Sequence, residues 1–527
     1  MSDNLGQETE LKLELRPEDA VRLGRVKSLP QARLGLAKAQ QIVTVYFDTQ
    51  DLALRQAGLS LRMRHAGAKR VQTVKSQPLS DMPGAPRAED EVPVNGVGPD
   101  LKRIANPVLR ERVLSATAAA ALAPLFETVV LRTTRHIRTK LGDVVEFVVD
   151  LGEVRAAAAD WPICELELEL KEGSPLALFD LADELNKEVP LRLVRLTKAD
   201  RGYALLGEAV GTPQKSRPVG LDPEARTDEA FRAIMGNCLA HLIANEPAVV
   251  ERQDVEGLHQ LRVAMRRLRA AISTFKPLLP EELGRKLNHE TKAIGAICGA
   301  ARDYDVFLSS VIPAAADAMR DVAGGMAALE QAARTARVDA WAKVVETIAS
   351  SRFTALVIGV ARLTAEKKLP THKTVRRRDW EAPARDYAET ALDRHRKKVL
   401  KLGDALEGHS DEERHELRKR LKRLRYAGEF FAGLYPETDS KAYLKRIAGL
   451  QDCFGALNDV VTAERLIRGL SAFGSGEKAG RIAEAGACLL DFHRKAAEAL
   501  MVDAQARFDK LSKRKAFWHA EGAMAQT

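Results

Sequence analysis

At 527 residues with 45% apolar and 29% charged content, the chain is too long for one compact core and reads as a soluble protein of roughly two to four domains. Its five cysteines (Cys164, Cys238, Cys298, Cys453, Cys488) are scattered with no CxxC pair, which argues against a disulfide scaffold or a zinc cluster and for a reducing compartment. The net charge of +9 is uneven: residues 1–210 hold 29 Lys and Arg against 30 Asp and Glu, and residues 211–527 hold 53 against 43, so a polyanionic partner is expected for the second part.

The start, MSDNLGQETE, has neither a basic nor an apolar signal region, and the longest strongly apolar run, Phe353 to Ala361, is too short for a bilayer. A cytoplasmic address without a membrane is expected. The first part then reads as strands: 8–15, 42–48, 59–65, 71–76, 89–94, 129–140, 144–154 and 163–171 alternate with period two or are rich in β-branched residues. Turn signals separate them at Gly58, Gly67, Pro83-Gly84 and Leu141-Gly142. Helices are expected over Pro17 to Leu29 and Leu176 to Lys187. The pattern predicts a mostly antiparallel sheet, long enough to close into a barrel.

Residues 209–224, rich in Gly, Pro and Ser, read as a linker after a first domain at 1–208. From about Asp228, Ala, Leu, Arg and Glu recur at helical spacing, which predicts an all-α domain over 225–515, with a second break near 367–380. This part repeats itself. His259-Gln-Leu-Arg262 continues into Arg266, Arg267 and Arg269; His415-Glu-Leu-Arg418, 156 residues on, continues into Lys422, Arg423 and Arg425. Each histidine precedes an aspartate, Asp303 or Asp459, by 44 residues. Two related helical units, about 228–365 and 380–510, are expected, in an α+β chain overall.

The strand faces carry chemistry. Residues two apart share a face, so Glu8, Glu10 and Lys12 oppose Leu11, Leu13 and Leu15; Arg62 and Arg64 oppose Leu61 and Met63; Glu165, Glu167 and Glu169 oppose Leu166, Leu168 and Leu170. Lys75, Glu89, Arg132 and Asp150 recur in similar settings. Such faces turned inward are tolerable only when ions and ligand satisfy them. Carboxylate oxygens suit Mg²⁺ or Mn²⁺, and Arg and Lys suit phosphate oxygens.

Glu8-x-Glu10-x-Lys12 resembles the ExExK signature of the CYTH, or triphosphate tunnel metalloenzyme, family. YFDT (46–49), GLSLRMR (58–64), TVK (73–75), RAEDE (87–91), DLGEV (150–154), ICELELEL (163–170) and TKADRGY (197–203) extend the resemblance over roughly residues 5–205. It implies a closed barrel of about eight strands, metal ligation by Glu8, Glu10, Glu165, Glu167 and Asp150, and triphosphate contacts from Lys12, Arg62, Arg64, Lys75, Arg132 and Lys198, with Glu89 facing the tunnel. Arg135, Arg138 and Glu169 fall at the rim or outside. Residues 228–510 resemble the CHAD domain, which implies a two-fold helical bundle whose basic groove binds inorganic polyphosphate. Its signatures are matched by His259, Arg262, Arg266, Arg267 and Arg269, and by His415, Arg418, Lys422, Arg423, Arg425 and Tyr426. On their helices His259, Arg262, Arg266 and Arg269 fall along one face, as do His415, Arg418, Lys422 and Arg425, and cations so stacked repel until a polyanion relieves them.

The expected function is metal-dependent hydrolysis of inorganic triphosphate to pyrophosphate and phosphate, with long-chain polyphosphate bound by the helical part and polyphosphate granules as a further address. The alternatives are a thiamine triphosphatase, a class IV adenylate cyclase, or a non-catalytic granule-binding protein. Nucleic acid fits poorly, because no aromatic is interleaved with the arginines of this part except Tyr426, Phe430 and Phe431.

Overall fold

The computed structural model describes residues 7–25, 32–67, 69–80, 82–157, 159–403, 406–472 and 477–519. The chain divides into two compact units: Met1–Gln214 with Leu242–Gly257 and Ile348–Lys367, and Lys215–His241 with Leu258–Thr347 and Lys368–Thr527.

The first unit is built on an antiparallel sheet of β1 (Gln7–Glu8), β2 (Glu10–Glu14), β3 (Ala32–Leu34), β4 (Lys38–Asp48), β5 (Leu59–Ala66), β6 (Lys69–Ser76), β7 (Arg87–Pro93), β8 (Ala123–Thr139), β9 (Val144–Ala156), β10 (Ala159–Glu172) and β11 (Arg192–Leu193). The hydrogen-bonded order is β1-β7-β6-β5-β4-β8-β9-β10-β2-β11, with β3 beside β8. Every strand expected from alternation forms, because each carries an apolar row that must leave water: Leu11, Leu13, Leu61, Met63, Leu166 and Leu168 are all buried. Glycine at φ +61° (Gly67) and +96° (Gly142) makes the β5–β6 and β8–β9 turns, in a region other residues rarely adopt. The ladder is an open path from β1 to β11, so the closed barrel expected from the sequence goes beyond it.

Helices form at Pro17–Arg25 and Leu176–Glu188; the last residues of the first expected helix, 26–29, lie outside the described residues. Strand patterning passed over Pro107–Ala116, although Asn106 caps it through the amides of Val108 and Leu109 and Pro107 opens it. It also passed over Lys198–Leu205, capped by Thr197 and Asp200 in a capping box. The segment Ser351–Ala365 packs in this unit, where Ser351 O accepts from Asn186 Nδ2 at 2.8 Å.

The β8–β9 pairing leaves no room at Gly152. A Cβ there would lie 2.0 Å from Val129 O and 2.8 Å from Val130 Cα, both backbone atoms. Gly152→Ala is therefore expected to cost about 1–3 kcal/mol, read from urea unfolding; an unchanged midpoint would show that the two strands can part there.

The second unit is helical, as its texture predicted. Its long helices include Glu281–Val306, Ala384–Gly403, Asp411–Phe431, Glu437–Ala472 and Glu477–Ser512, together with most of Val255–Phe275. Phe231, Phe275, Trp380, Tyr387 and Phe431 stack into one aromatic core. A second core gathers around Phe307, Leu329, Leu466 and Leu489. Among the described residues no single helix is long and apolar enough to cross a membrane.

Candidate functional site

The charged faces of the sheet enclose a cavity of about 860 Å³ in the first unit. Ten cations and eight carboxylates line it. The pairing register explains how they meet. β2 and β10 set Lys12 opposite Glu167 and Glu10 opposite Glu169, while β10 and β9 set Glu169 opposite Glu146 and Glu165 opposite Asp150.

Three groups of charges result. In the first, Glu167 lies 2.7 Å from Lys12, 2.9 Å from Lys198 and 3.0 Å from Arg132. Burial alone would raise its carboxyl, yet Lys12, Lys198 and Arg132 hold it well below the usual range. In the second, Glu8 accepts from Lys75 and Arg87, each at 2.7 Å, and Glu10 pairs with Arg87 and, at 3.0 Å, with Lys12. Burial opposes ionisation of Glu8 too, but Lys75 and Arg87 hold it far down. In the third, cations crowd together and the two arginines pair only loosely with carboxylates. Arg62 reaches Glu89 only at 4.0 Å and Arg64 reaches Glu91 at 3.8 Å. Lys75 is pushed below its ordinary value by burial and by Arg62 and Arg87, and Arg64 by neighbouring Arg62 and burial. The Nε of Arg62 is buried without a hydrogen-bond partner. This is the side of the cavity prepared for an anion.

Of the expected cavity residues, Glu8, Glu10, Lys12, Arg62, Arg64, Lys75, Glu89, Arg132, Glu167 and Lys198 all line it. Asp150 and Glu165 do not. Both are fully buried behind the wall, where Lys198 lies 2.9 Å from Asp150 and 2.7 Å from Glu165, because the helix Lys198–Leu205 covers that end of the face. Sequence reasoning missed Arg87, which links Glu8 and Glu10, and Glu146, which shares Asp150's face of β9. Glu169, placed at the rim or outside, lines the cavity.

Among the described residues no three His, Cys, Asp or Glu side chains converge to hold a metal ion. The chemistry of the donors nonetheless fits a hard divalent cation: Glu10, Glu169 and Glu146 stand side by side across β2, β10 and β9 and line the cavity with Glu8. The aromatic wall is closed. Tyr46 stacks on Phe126 with centroids 4.7 Å apart, Tyr203 meets Phe126 edge-on at 5.1 Å, and the Tyr203 hydroxyl donates to Asp48 at 2.8 Å.

In the second unit, Arg262, Arg266, Arg418 and Lys422 come together. Arg262 donates to Gly299 O at 2.9 Å and lies 3.3 Å from Asp303; Arg418 donates to Asn458 at 2.8 Å; Arg266 donates to the Tyr426 hydroxyl at 3.3 Å. Burial, then Arg418, Arg266 and Arg262, push the Lys422 ammonium down to about 7. The His415 imidazole is lowered by burial and Lys419 while it bonds to Asn458. Arg425 is tied to Glu429 at 2.7 Å and to Gln451 at 3.2 Å, and Arg269 faces Arg423.

Residues 6–203 match the CYTH domain and residues 233–468 match the CHAD domain. The chain is 29% identical over 216 residues to an inorganic triphosphatase of Haemophilus influenzae, a match covering 39% of this chain and 56% of that protein. The chain thus spans little more than half of that relative's length. It is 26% identical over 460 residues to an uncharacterised protein of Mycobacterium tuberculosis, covering 83% of each. Among solved structures, the CHAD domain from the plant Ricinus communis aligns at 31% identity over 60% of this chain and 99% of that one, with a TM-score of 0.46.

Proposed function

We propose, from the premise that the chain is a CYTH domain followed by a CHAD domain, that the cavity hydrolyses inorganic triphosphate to pyrophosphate and phosphate and that the basic cluster of the second unit binds long-chain polyphosphate. The observation that carries the reading is the cation-rich side of the cavity, where Arg62 keeps a buried donor unpaired and where burial and crowded arginines hold Lys75 and Arg64 below their ordinary values despite the carboxylates beside them. A polyphosphate chain relieves all three at once. β1 and β2, separated by Thr9 alone and paired to β7 and β10, support a sheet wrapped round this cavity as a barrel. The equal spacing of His259 and His415 from their aspartates supports a duplicated helical unit.

The chain's residues divide the work. Arg62, Arg64, Lys75 and Lys12 hold the phosphate chain and neutralise charge building on the bridging oxygen as the terminal bond breaks. The wall has only two more cations than carboxylates, so a triphosphate with more negative charges than that brings metal with it. Glu8, Glu10 and Glu167, with Glu169 and Glu146 beside them, would hold Mg²⁺ or Mn²⁺. A bound divalent cation supplies charge neutralisation and polarises the phosphoryl oxygens. Burial and the nearby Glu8 and Glu146 raise the Glu169 carboxyl even though Lys171 bonds to it, a crowding of carboxylates that a divalent cation beside them would relieve. Water attacks the terminal phosphorus in line and pyrophosphate leaves.

Tyr46 and Tyr203 pack on Phe126 rather than presenting a free ring face, which favours the inorganic substrate over thiamine triphosphate or ATP. With either metal, phosphate release from tripolyphosphate is expected to exceed that from the two organic triphosphates by at least about tenfold in kcat/KM. Thiamine diphosphate or cyclic AMP as the dominant product would overturn this reading.

A further inference from the structure

A file of alternating charges leads from the cavity wall into the body of the first unit. Lys198, on the wall, is shared by Asp150, Glu165 and Glu167 at 2.7–2.9 Å. The other oxygen of Glu165 lies 2.7 Å from Arg201, as an ion contact without hydrogen-bond alignment. Arg201, 1% exposed, donates to Glu14 Oε1 at 2.9 Å. Glu14 Oε2 accepts from Arg192 at 2.8 Å, and Arg192 donates onward to Glu246 at 2.6 Å and to Glu251 at 2.7 Å. Neither Arg192, Glu14 nor Arg201 lines the cavity.

We propose that Arg192 is a positioning residue for Lys198, acting through Glu14, Arg201 and Glu165, and that the helix Glu246–Val250 anchors it. The proposal rests on the reading of the cavity as a triphosphate site. A substrate can draw on Lys198 only if the carboxylates behind it keep other partners. For Glu165 that partner is Arg201, which Glu14 also claims from the opposite side. Arg192 gives Glu14 a second countercharge and so leaves Arg201 to Glu165. Without Arg192, Glu14 pulls Arg201 away, Glu165 binds Lys198 more tightly, and the phosphate chain loses a donor. Glu246 tolerates that loss, because burial already lifts its carboxyl to about 7 against the pull of Arg192, and it takes up a proton.

The full-length chain tests this with steady-state phosphate release from tripolyphosphate. Arg192→Met is expected to lower kcat/KM about tenfold, mostly through KM, the scale typical of groups that orient a site residue from behind. Adding Glu14→Gln to that variant should restore most of the loss, since Arg201 is then uncontested. That rescue separates the charge file from mere packing, which a second substitution would only worsen. If Arg192→Met does not fold, Arg192→Lys, which keeps the charge but not the three-way fork, is read instead, with a smaller KM rise reversed in the same way. An active native chain whose Arg192 variants keep native KM, or gain nothing from Glu14→Gln, overturns the proposal alone. A native chain inert on tripolyphosphate overturns the proposal and the reading beneath it.

Discussion

Glu10→Gln is expected to bind tripolyphosphate at least as tightly as the native chain while hydrolysing it roughly a hundred- to a thousandfold more slowly. The two halves of the result have opposite electrostatic causes. Removing the carboxylate raises the cationic surplus of the wall by one charge and frees Arg87 and Lys12 from one partner, so attraction for the anion grows. The same change removes a hard oxygen from the row of Glu10, Glu169 and Glu146, where a divalent cation would sit and where charge must be matched as the phosphoryl group transfers. Ground-state binding then survives and catalysis does not. The fold is expected to persist, because Arg87 keeps Glu8 and Lys12 keeps Glu167. Calorimetry without metal reads the first half, and steady-state phosphate release across a Mg²⁺ titration reads the second. A kcat near the native value would remove Glu10 from the metal site. Weaker binding with an unchanged kcat would make it only a support for Lys12.

Sequence patterning resolved the wall because each strand has an apolar row and a charged row, and water can tolerate only the second. It could not say where that face opens. Glu165 and Glu167 are equivalent by alternation, yet one is sealed and the other lines the cavity, because Lys198 and Arg201 descend on the Glu165 end from a short helix with little periodicity of its own. Arg87 gave no local signal either: it opens β7, and it reaches Glu8 through strand pairing across 79 residues of chain. Residues 242–257 and 348–367 look like any other part of the helical half, since amphipathic spacing states that a helix buries one face and not which unit receives it. In the basic cluster, the spacing of the cations on each helix was visible, but Arg425 turning to Glu429 was not, because an i,i+4 acid competes with any shared groove.

Long-chain polyphosphate is expected to bind the full-length chain more tightly as pH falls from 9 to 7, with uptake of close to one proton above pH 7. Lys422 is the reason. Its neighbours are Arg418 on its own helix, Arg262 and Arg266 on Val255–Phe275, and Asp459 on Glu437–Ala472. Burial and the three arginines outweigh the aspartate and hold the ammonium at about 7 instead of its ordinary 10.5. A bound polyanion reverses the sign of that field and returns the pKa upward. Below pH 7 the amine is already charged and binding gains nothing from acid. Between 7 and the ordinary value each bound chain brings a proton with it, so affinity falls by up to about tenfold per pH unit as pH rises. His415 is lowered by burial and Lys419 from an ordinary value that already lies below this window. Lys422→Arg keeps its charge at every pH, so it should abolish the proton uptake, flatten the profile, and bind more tightly than the native chain at pH 8. Proton uptake is read by calorimetry in buffers of different ionisation enthalpy, with divalent cations chelated to stop turnover. Charge reversal at Arg262 and Arg266, or at Arg418 and Lys422, should each cost about a hundredfold at low salt. Reversal of Lys513, Arg514 and Lys515 should cost little, since the largest charge effects on Lys422 come from Arg418, Arg266, Arg262 and Asp459. If the Lys422→Arg profile keeps the native slope, the linked proton lies elsewhere. If the tail reversal weakens binding as much as the paired reversals do, the polyanion follows diffuse positive charge and not the cluster of Arg262, Arg266, Arg418 and Lys422.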